Sequence, residues 1–428
     1  MKKNNSLILL LVNTIFFAQV QTSRWTIQGK NLTDDCGQNI ILKGVNHGNI
    51  WATNWGLNEM PQIALTGANS VRICLEQNKT NYDNNGNPFT VPVVASNIEP
   101  IIQSCLANNM IPILELHDYT QFNATVTAVQ SLPLATAFWT RSDILALLKK
   151  YQNYLILNIA NEPEHWDTTQ IQYYNANKTA LLALRNTGLN LPIMIDGYGW
   201  GQDINFFVNY ASTLQNDDPL HKMIFSVHAY WENTTDAIIL ARVQALNALN
   251  VPIVFGEISK SLASANTTIN YQYLMQLCTT YNIGFHGWWW GFTNPTSNNV
   301  LSMSPTGMFA GLTGFGNIMA VTDPNSIQNT SVRPIKLVTG ACGVLANEVV
   351  ELTIEFKFYP NPISDILTLE NLNNNSIISV YNFVGQELVT QKSSNFITEV
   401  NLSNMSNGFY FLKIKSNDEE KVIRILKK

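Results

Sequence analysis

The chain has little charge and little sulfur for its length. Only 13% of its 428 residues are charged, the net charge is −5, and no basic stripe runs along any segment. The electrostatic footprint of a nucleic-acid binder is therefore missing, and neutral ligands fit better. Five cysteines, Cys36, Cys74, Cys105, Cys278 and Cys342, are scattered without CxxC or CxxH spacing, so a structural zinc site is not expected. Their odd number leaves at least one thiol unpaired in a monomer; Cys74 and Cys105 read as buried core thiols, and spacing assigns no disulfide. His117, Asp118, His228 and Glu257 lack HExxH or any comparable signature, so neither a metal nor another cofactor is expected. No internal repeat is visible.

Both ends carry a distinct texture. Met1-Lys2-Lys3, the apolar stretch Leu7 to Phe17 and the exit Ala18 to Thr22 read as a secretory signal peptide over residues 1–21, too short to span a bilayer stably. A single-pass anchor is the alternative. The length exceeds that of a barrel of ~250 residues, which predicts an additional module. From about Phe356 the pattern changes to short alternating runs, Ile366 to Leu369, Ile377 to Tyr381, Phe396 to Leu402, Phe409 to Ile414 and Val422 to Leu426. That period of two predicts a small all-β sandwich over 356–428. Residues 336–355 read as the linker, leaving 22–335 as the main domain.

Eight strand-like runs fill that domain: Ile40 to Asn46, Ser70 to Leu75, Ile111 to Asp118, Leu155 to Glu162, Pro192 to Gly197, Met223 to Tyr230, Pro252 to Ser259 and Gly284 to Gly291. Helical periodicity separates them, most clearly over Ile98 to Asn108, Thr140 to Lys150, Ile171 to Arg185 and Ala237 to Leu249. Alternation of strand and helix eight times predicts a closed (β/α)8 TIM barrel, because each parallel connection needs a crossover. A doubly wound open sheet is the runner-up. Trp25 to Gly29 and Leu32 to Asn39 predict a hairpin that plugs the barrel floor.

Polar or aromatic residues stand at every strand end: Asn46 and His47, Arg72, His117 and Asp118, Asn161 and Glu162, Asp196, His228 and Tyr230, Glu257, and Trp288 to Trp290. In a parallel barrel these ends line a single mouth. Two of them, Glu162 and Glu257, suit glycoside hydrolysis, which needs one carboxylic acid for the leaving oxygen and one carboxylate against the sugar cation. Arg72 is expected beside Glu257, holding it ionised, while a negative Glu257 raises the pKa of Glu162. Asn161 can bond a sugar hydroxyl, and both it and Glu162 reach the mouth only if the strand ends or bulges there. Trp51, Trp200 and Trp290 are candidate sugar platforms. For Trp288 and Trp289, inside the expected strand, core burial competes with contact.

Ile41-Leu-Lys-Gly-Val-Asn-His-Gly48, Gly67-Ala-Asn-Ser-Val-Arg72, Leu114-Glu-Leu-His-Asp118, Asn158-Ile-Ala-Asn-Glu-Pro163, Asp196-Gly-Tyr-Gly-Trp-Gly-Gln202, Asp218 to Tyr230 and Val254-Phe-Gly-Glu257 resemble the successive motifs of family 5 glycoside hydrolases. Within the family the chain is most similar to bacterial endo-β-1,4-mannanases. The resemblance implies a retaining mechanism with Glu162 as acid/base and Glu257 as nucleophile. It also implies supporting or substrate-binding roles for Arg72, His117, Asn161, His228, Tyr230 and Trp290. The continuation Ile258-Ser-Lys-Ser-Leu-Ala263, with Glu76 and Trp231, departs from the mannanase pattern. A β-1,4-glucanase and an inactive carbohydrate-binding barrel stay open as alternatives. Phe358 to Pro362, Ser379 to Leu388 and Leu402 to Lys413 resemble the type A sorting domain of type IX secretion, which implies that machinery as a partner and a destination outside the cell or on its surface. The expected substrate is a β-linked mannan, glucomannan or cellulose, and the expected state a monomer.

Overall fold

Eight short parallel strands close on themselves. The structure, a computed structural model, describes residues 24–428 apart from 83–86, 120–127, 164–167, 263–267, 292–300, 343–356, 371, 373–375, 383–384, 394–396 and 417–418. The expected signal peptide lies outside the described residues. A hairpin, β1 (Thr26–Gln28) and β2 (Asn31–Thr33), comes first. The barrel strands are β3 (Lys43–His47), β4 (Ser70–Leu75), β7 (Ile111–Leu116), β8 (Ile156–Asn158), β9 (Ile193–Asp196), β10 (Met223–His228), β11 (Ile253–Ile258) and β12 (Gly284–Gly287); a second hairpin, β5 (Asn78–Tyr82) and β6 (Pro88–Pro92), leaves the barrel after β4. Pairing in that order, with β12 returning to β3, makes the closed TIM barrel expected from the alternation.

Helices α1 (Met60–Ala64), α2 (Ala95–Ala107), α3 (Ala128–Thr140), α4 (Ser142–Tyr151), α5 (Gln170–Asn186), α6 (Ile204–Asp217), α7 (Asp236–Ala248) and α8 (Tyr271–Tyr281) run between the strands. Their faces follow the periodicity of the sequence. In α2, Ile98, Ile101, Ile102 and Cys105 are buried at spacings of three and four, which lays one stripe on the sheet. Thr169 and Gln172 form a reciprocal capping box that fixes where α5 begins.

The floor is sealed by the first hairpin, where Trp25 and Leu32 pack with Ile111, Ile156, Ile224 and Val254 at the beginnings of the barrel strands. On this side the chain is also stapled. Cys36, just after β2, is disulfide-bonded to Cys342. A short helix, Ile335–Thr339, precedes Cys342 and is held by Ile335 N donating to Gln38 Oε1 at 2.7 Å and by the Lys336–Asp35 ion pair. Part of the stretch read as linker is thus ordered against the hairpin turn. Cys74, Cys105 and Cys278 are free and buried.

The chain divides into two compact units between Gly343 and Val344. The second holds a three-stranded antiparallel sheet, β13 (Lys357–Tyr359), β14 (Ile366–Glu370) and β17 (Ile397–Asn401). Its other sheet has four strands: β15 (Ile377–Tyr381), β16 (Glu387–Lys392), β18 (Gly408–Ser416) and β19 (Glu419–Lys427). Alternate residues such as Leu367, Leu369, Leu412 and Ile414 turn inward to a separate core.

Candidate active site

Arg72 organises the mouth. It rises from β4 fully buried, and every nitrogen of its guanidinium is engaged. Nε donates to Asn158 Oδ1 at 2.8 Å, and Nη1 to Asn46 Oδ1 at 3.0 Å and Glu257 Oε1 at 2.9 Å. Nη2 donates to Asn161 Oδ1 at 2.7 Å and Asp196 Oδ2 at 3.2 Å. Burial alone would lower its pKa; the carboxylates of Glu115, Asp196 and Glu257 outweigh that and hold it charged. One planar fork therefore fixes groups from four other barrel strands or their ends.

The backbone brings the two glutamates to it. β8 ends at Asn158, and Glu162 has φ +39°, a left-handed value that is costly for a residue with a side chain. Asn161 and Glu162 thereby lie past the regular strand, freed from its alternation. At Glu257 the pairing of β11 with β12 slips between Phe255 and Ile258, and that of β10 with β11 slips at His228. Gly256 is required here, since a Cβ would lie 2.1 Å from Ser226 Oγ.

The groups that meet are few. Glu162 Oε1 lies 2.6 Å from His228 Nδ1, and that nitrogen is 3.6 Å from Glu257 Oε1. Single carboxylate oxygens of Glu162 and Glu257 and a ring nitrogen of His228 all lie within 4.8 Å of one another. Tyr230 donates its hydroxyl to Glu257 Oε2 at 2.6 Å. Burial and then the charge of Glu257 push the Tyr230 phenol well up, so it remains a donor.

Burial is also the largest influence on Glu162, raising its pKa, with the charge of Glu257 a smaller one in the same direction. This corrects the emphasis expected from the sequence. Burial pulls His228 down, but Glu257, Asp196 and the bond to Glu162 raise it well above its ordinary value. Both shifts favour the protonated form of each member of the Glu162–His228 pair. Asp196 stands behind it, accepting from Glu162 N at 3.1 Å and lying 3.4 Å from His228 Nε2. Its negative charge raises both members of the pair. Asp196→Asn is therefore expected to move the alkaline limb of the kcat/KM profile to lower pH, by roughly one unit. An unmoved limb would remove the pair from control of that limb.

The aromatic candidates separate. Trp51 is exposed at 38%, donates to Glu76 Oε1 at 2.9 Å, and meets His117 edge-on at 5.2 Å. Trp200 lines a groove of about 520 Å³ with Tyr230, Gln202, Trp231 and Arg242. Trp290 is the correction: it is fully buried, its indole donating to Gly307 O at 2.9 Å, so it offers no face to a ligand. β12 ends at Gly287, which puts Trp288 and Trp289 beyond the strand rather than inside it. Trp288 stacks on His117 at 5.5 Å and 12°. Trp289 is buried beside Ala52 and Leu301.

The sequence reading left Glu115 and Asn158 out of the site. Glu115 is fully buried and accepts from His117 Nδ1 at 2.7 Å, while Asn158 also donates to Asp196 Oδ1 at 3.1 Å. Their signal was present: each is a polar residue inside an otherwise apolar barrel strand. Asp118 turns aside to accept from Gln77 N at 2.7 Å.

Residues 33–294 match the sequence profile of the family described as "Cellulase (glycosyl hydrolase family 5)". The chain belongs to glycoside hydrolase family 5. This family 5 chain is 31% identical over 306 residues to a mannan endo-1,4-beta-mannosidase of Cellvibrio japonicus (strain Ueda107), covering 71% of this chain and 67% of that protein. It is 28% identical to a beta-mannanase/endoglucanase A of Caldicellulosiruptor saccharolyticus, covering 66% of this chain but 20% of that protein. Its barrel fold is shared with the mannotriose complex of the Thermomonospora fusca beta-mannanase, at TM-score 0.63 and 24% identity over 74% of this chain and 100% of the other. The family 5 chain also carries, at residues 357–428, a match to the secretion system C-terminal sorting domain.

Proposed function

We propose that the protein is a retaining endo-β-1,4-mannanase acting on internal bonds of mannan or glucomannan. One observation carries the retaining mechanism: carboxylate oxygens of Glu162 and Glu257 lie within 4.8 Å of each other. Retaining enzymes hold their carboxyl groups ~5 to 5.5 Å apart, whereas inverting ones leave ~6.5 to 9.5 Å for a water. Glu257, gripped by Arg72 and Tyr230, attacks the anomeric carbon as the carboxylate. Glu162 gives its proton to the departing oxygen, and the covalent glycosyl-enzyme forms. Glu162 then takes a proton from water, whose oxygen displaces Glu257 with a second inversion. His228 holds the acid/base side chain and shares its proton, while Asn161, Trp51, Trp200 and His117 supply contacts to the sugar chain.

Mannan is favoured by the relatives named as mannosidases. β-1,4-Glucan is the second reading, supported by the relative named both mannanase and endoglucanase. Reducing-sugar release from mannan, glucomannan and carboxymethyl cellulose, measured side by side, decides between them. Mannan and glucomannan are expected to be cleaved fastest, and preference for carboxymethyl cellulose would overturn the assignment. Proton NMR of the first-formed product is expected to show the β anomer, and a first-formed α anomer would overturn retention.

The sorting domain supports export by the type IX route, and residues 1–21 supply the entry signal in this reading. The β unit then serves delivery, and the barrel acts as a monomer. Cutting the chain after Gly343, which keeps the Cys36–Cys342 bond, is expected to leave hydrolysis of soluble mannan within about twofold of the full chain. Loss of activity in a truncated protein with unchanged circular dichroism would make the β unit part of the site.

A further inference from the structure

Cys74 takes no part in the reaction just described, yet it stands two residues along β4 from Arg72. It is the register partner of Glu115 on β7, and His117 follows Glu115 by two residues, just beyond the strand end. Cys74 Sγ, an oxygen of Glu115 and a ring nitrogen of His117 lie within 4.8 Å of one another. Thiolate, carboxylate and imidazole together form a three-ligand set suited to zinc or cadmium, with a fourth position left for water.

A second observation points the same way. Glu115 is fully buried, and its Oε2 makes no regular hydrogen bond among the described residues, the Cys74 thiol being the group that interacts with this carboxylate besides His117 and Arg72. A buried carboxylate oxygen left without such a bond is costly, and an ion would satisfy it. The other oxygen, Oε1, takes His117 Nδ1 at 2.7 Å and lies 4.0 Å from Arg72 Nη2. The His117 side chain is 13% exposed, which opens a path from the mouth.

We propose that Cys74, Glu115 and His117 bind one thiophilic divalent cation. The ion replaces the thiol proton of Cys74 and the proton between His117 and Glu115, both released to solvent, and nothing is oxidised or reduced. The thiolate and the carboxylate cancel its two charges, so no net positive charge is added beside Arg72. Tetrahedral zinc bonds of ~2.0 to 2.3 Å set ligand atoms roughly 3.3 to 3.8 Å apart, so the 2.7 Å contact of His117 Nδ1 with Glu115 must open. Such movement pulls His117 off the face of Trp288, so a bound ion inhibits the enzyme. That inhibition rests on His117 lining the sugar site; the binding itself does not.

The test is a titration of the full chain with cadmium, followed by thiolate-to-metal absorption in the ultraviolet and, in parallel, by mannan hydrolysis. One ion per chain is expected, with inhibition reversed by EDTA. Cys74→Ala is expected to keep its activity without metal, lose the absorption band and need at least tenfold more cadmium for half-inhibition. Absence of the band in the wild type would overturn the proposal whatever the substrate proves to be. Equal inhibition of Cys74→Ala would do the same, placing the ion instead on Glu162, His228 and Glu257, whose ligand atoms are similarly close. If Cys74→Ala fails to fold, the near-isosteric Cys74→Ser carries the same comparison.

Discussion

Glu257→Ala is expected to lower kcat on mannan by ~10⁴-fold or more, about 5.5 kcal/mol of transition-state stabilisation, because it removes the atom that bonds to the sugar. The fold is expected to survive, since Arg72 keeps Asp196 as a charged partner. Azide fits the space the carboxylate leaves, and its attack inverts the anomeric centre once. Azide rescue yielding the α-mannosyl azide from an activated β-mannoside would identify Glu257 as the nucleophile. Turnover near wild type in this variant would end that assignment, and rescue giving the β-azide would end the single-displacement account.

Glu162→Ala is expected to act differently with different leaving groups. On mannan, whose departing hydroxyl needs a proton, kcat is expected to fall by ~10² to 10⁴-fold. On an aryl mannoside with a strongly acidic phenol, bond breaking needs no acid, so the first step stays fast and the covalent intermediate accumulates. A burst of phenol followed by slow turnover is the signature to measure. Equal losses on both substrates would mean that Glu162 positions the sugar and does not protonate it. The alkaline limb of the wild-type profile is expected to vanish in the variant as well, because burial raises Glu162 and the limb follows loss of its proton.

The barrel was legible because its strands are apolar on both faces and each is followed by a helical stripe; Ser70–Leu75 even begins and ends where the pattern does. The ends of the site strands were not legible. The apolar run through Leu155 to Ala160 reads as one long strand, but pairing stops at Asn158 and the chain kinks to φ +39° at Glu162. Hydrophobicity reports burial, and those residues remain buried after the strand has ended. The same confusion misplaced Trp290, because a run of three tryptophans gives no sign of which indole faces the core. Glu115 and Asn158 escaped notice because they serve other side chains. Glu115 meets His117 only because the chain turns just past the end of its strand, and Asn158 meets Arg72 only when the barrel closes. The pairing of Cys36 with Cys342 spans 306 residues and depends on the last turn of the barrel unit folding back on the first.

That bond has a mechanical consequence. If the sorting domain is held while the mouth grips a polymer, tension enters the barrel unit at Gly343. Without the bond it would act on one end of the strap Ile335–Thr339, and contacts such as Ile335 to Gln38 would open one at a time. With Cys342 fastened to Cys36, the pull divides between two covalent routes and the strap sits inside a closed loop. Peeling becomes shearing, in which many contacts must break together. Both routes enter at the floor, so the load reaches the fork of Arg72 and the two glutamates it aligns through the barrel strands rather than through the strap.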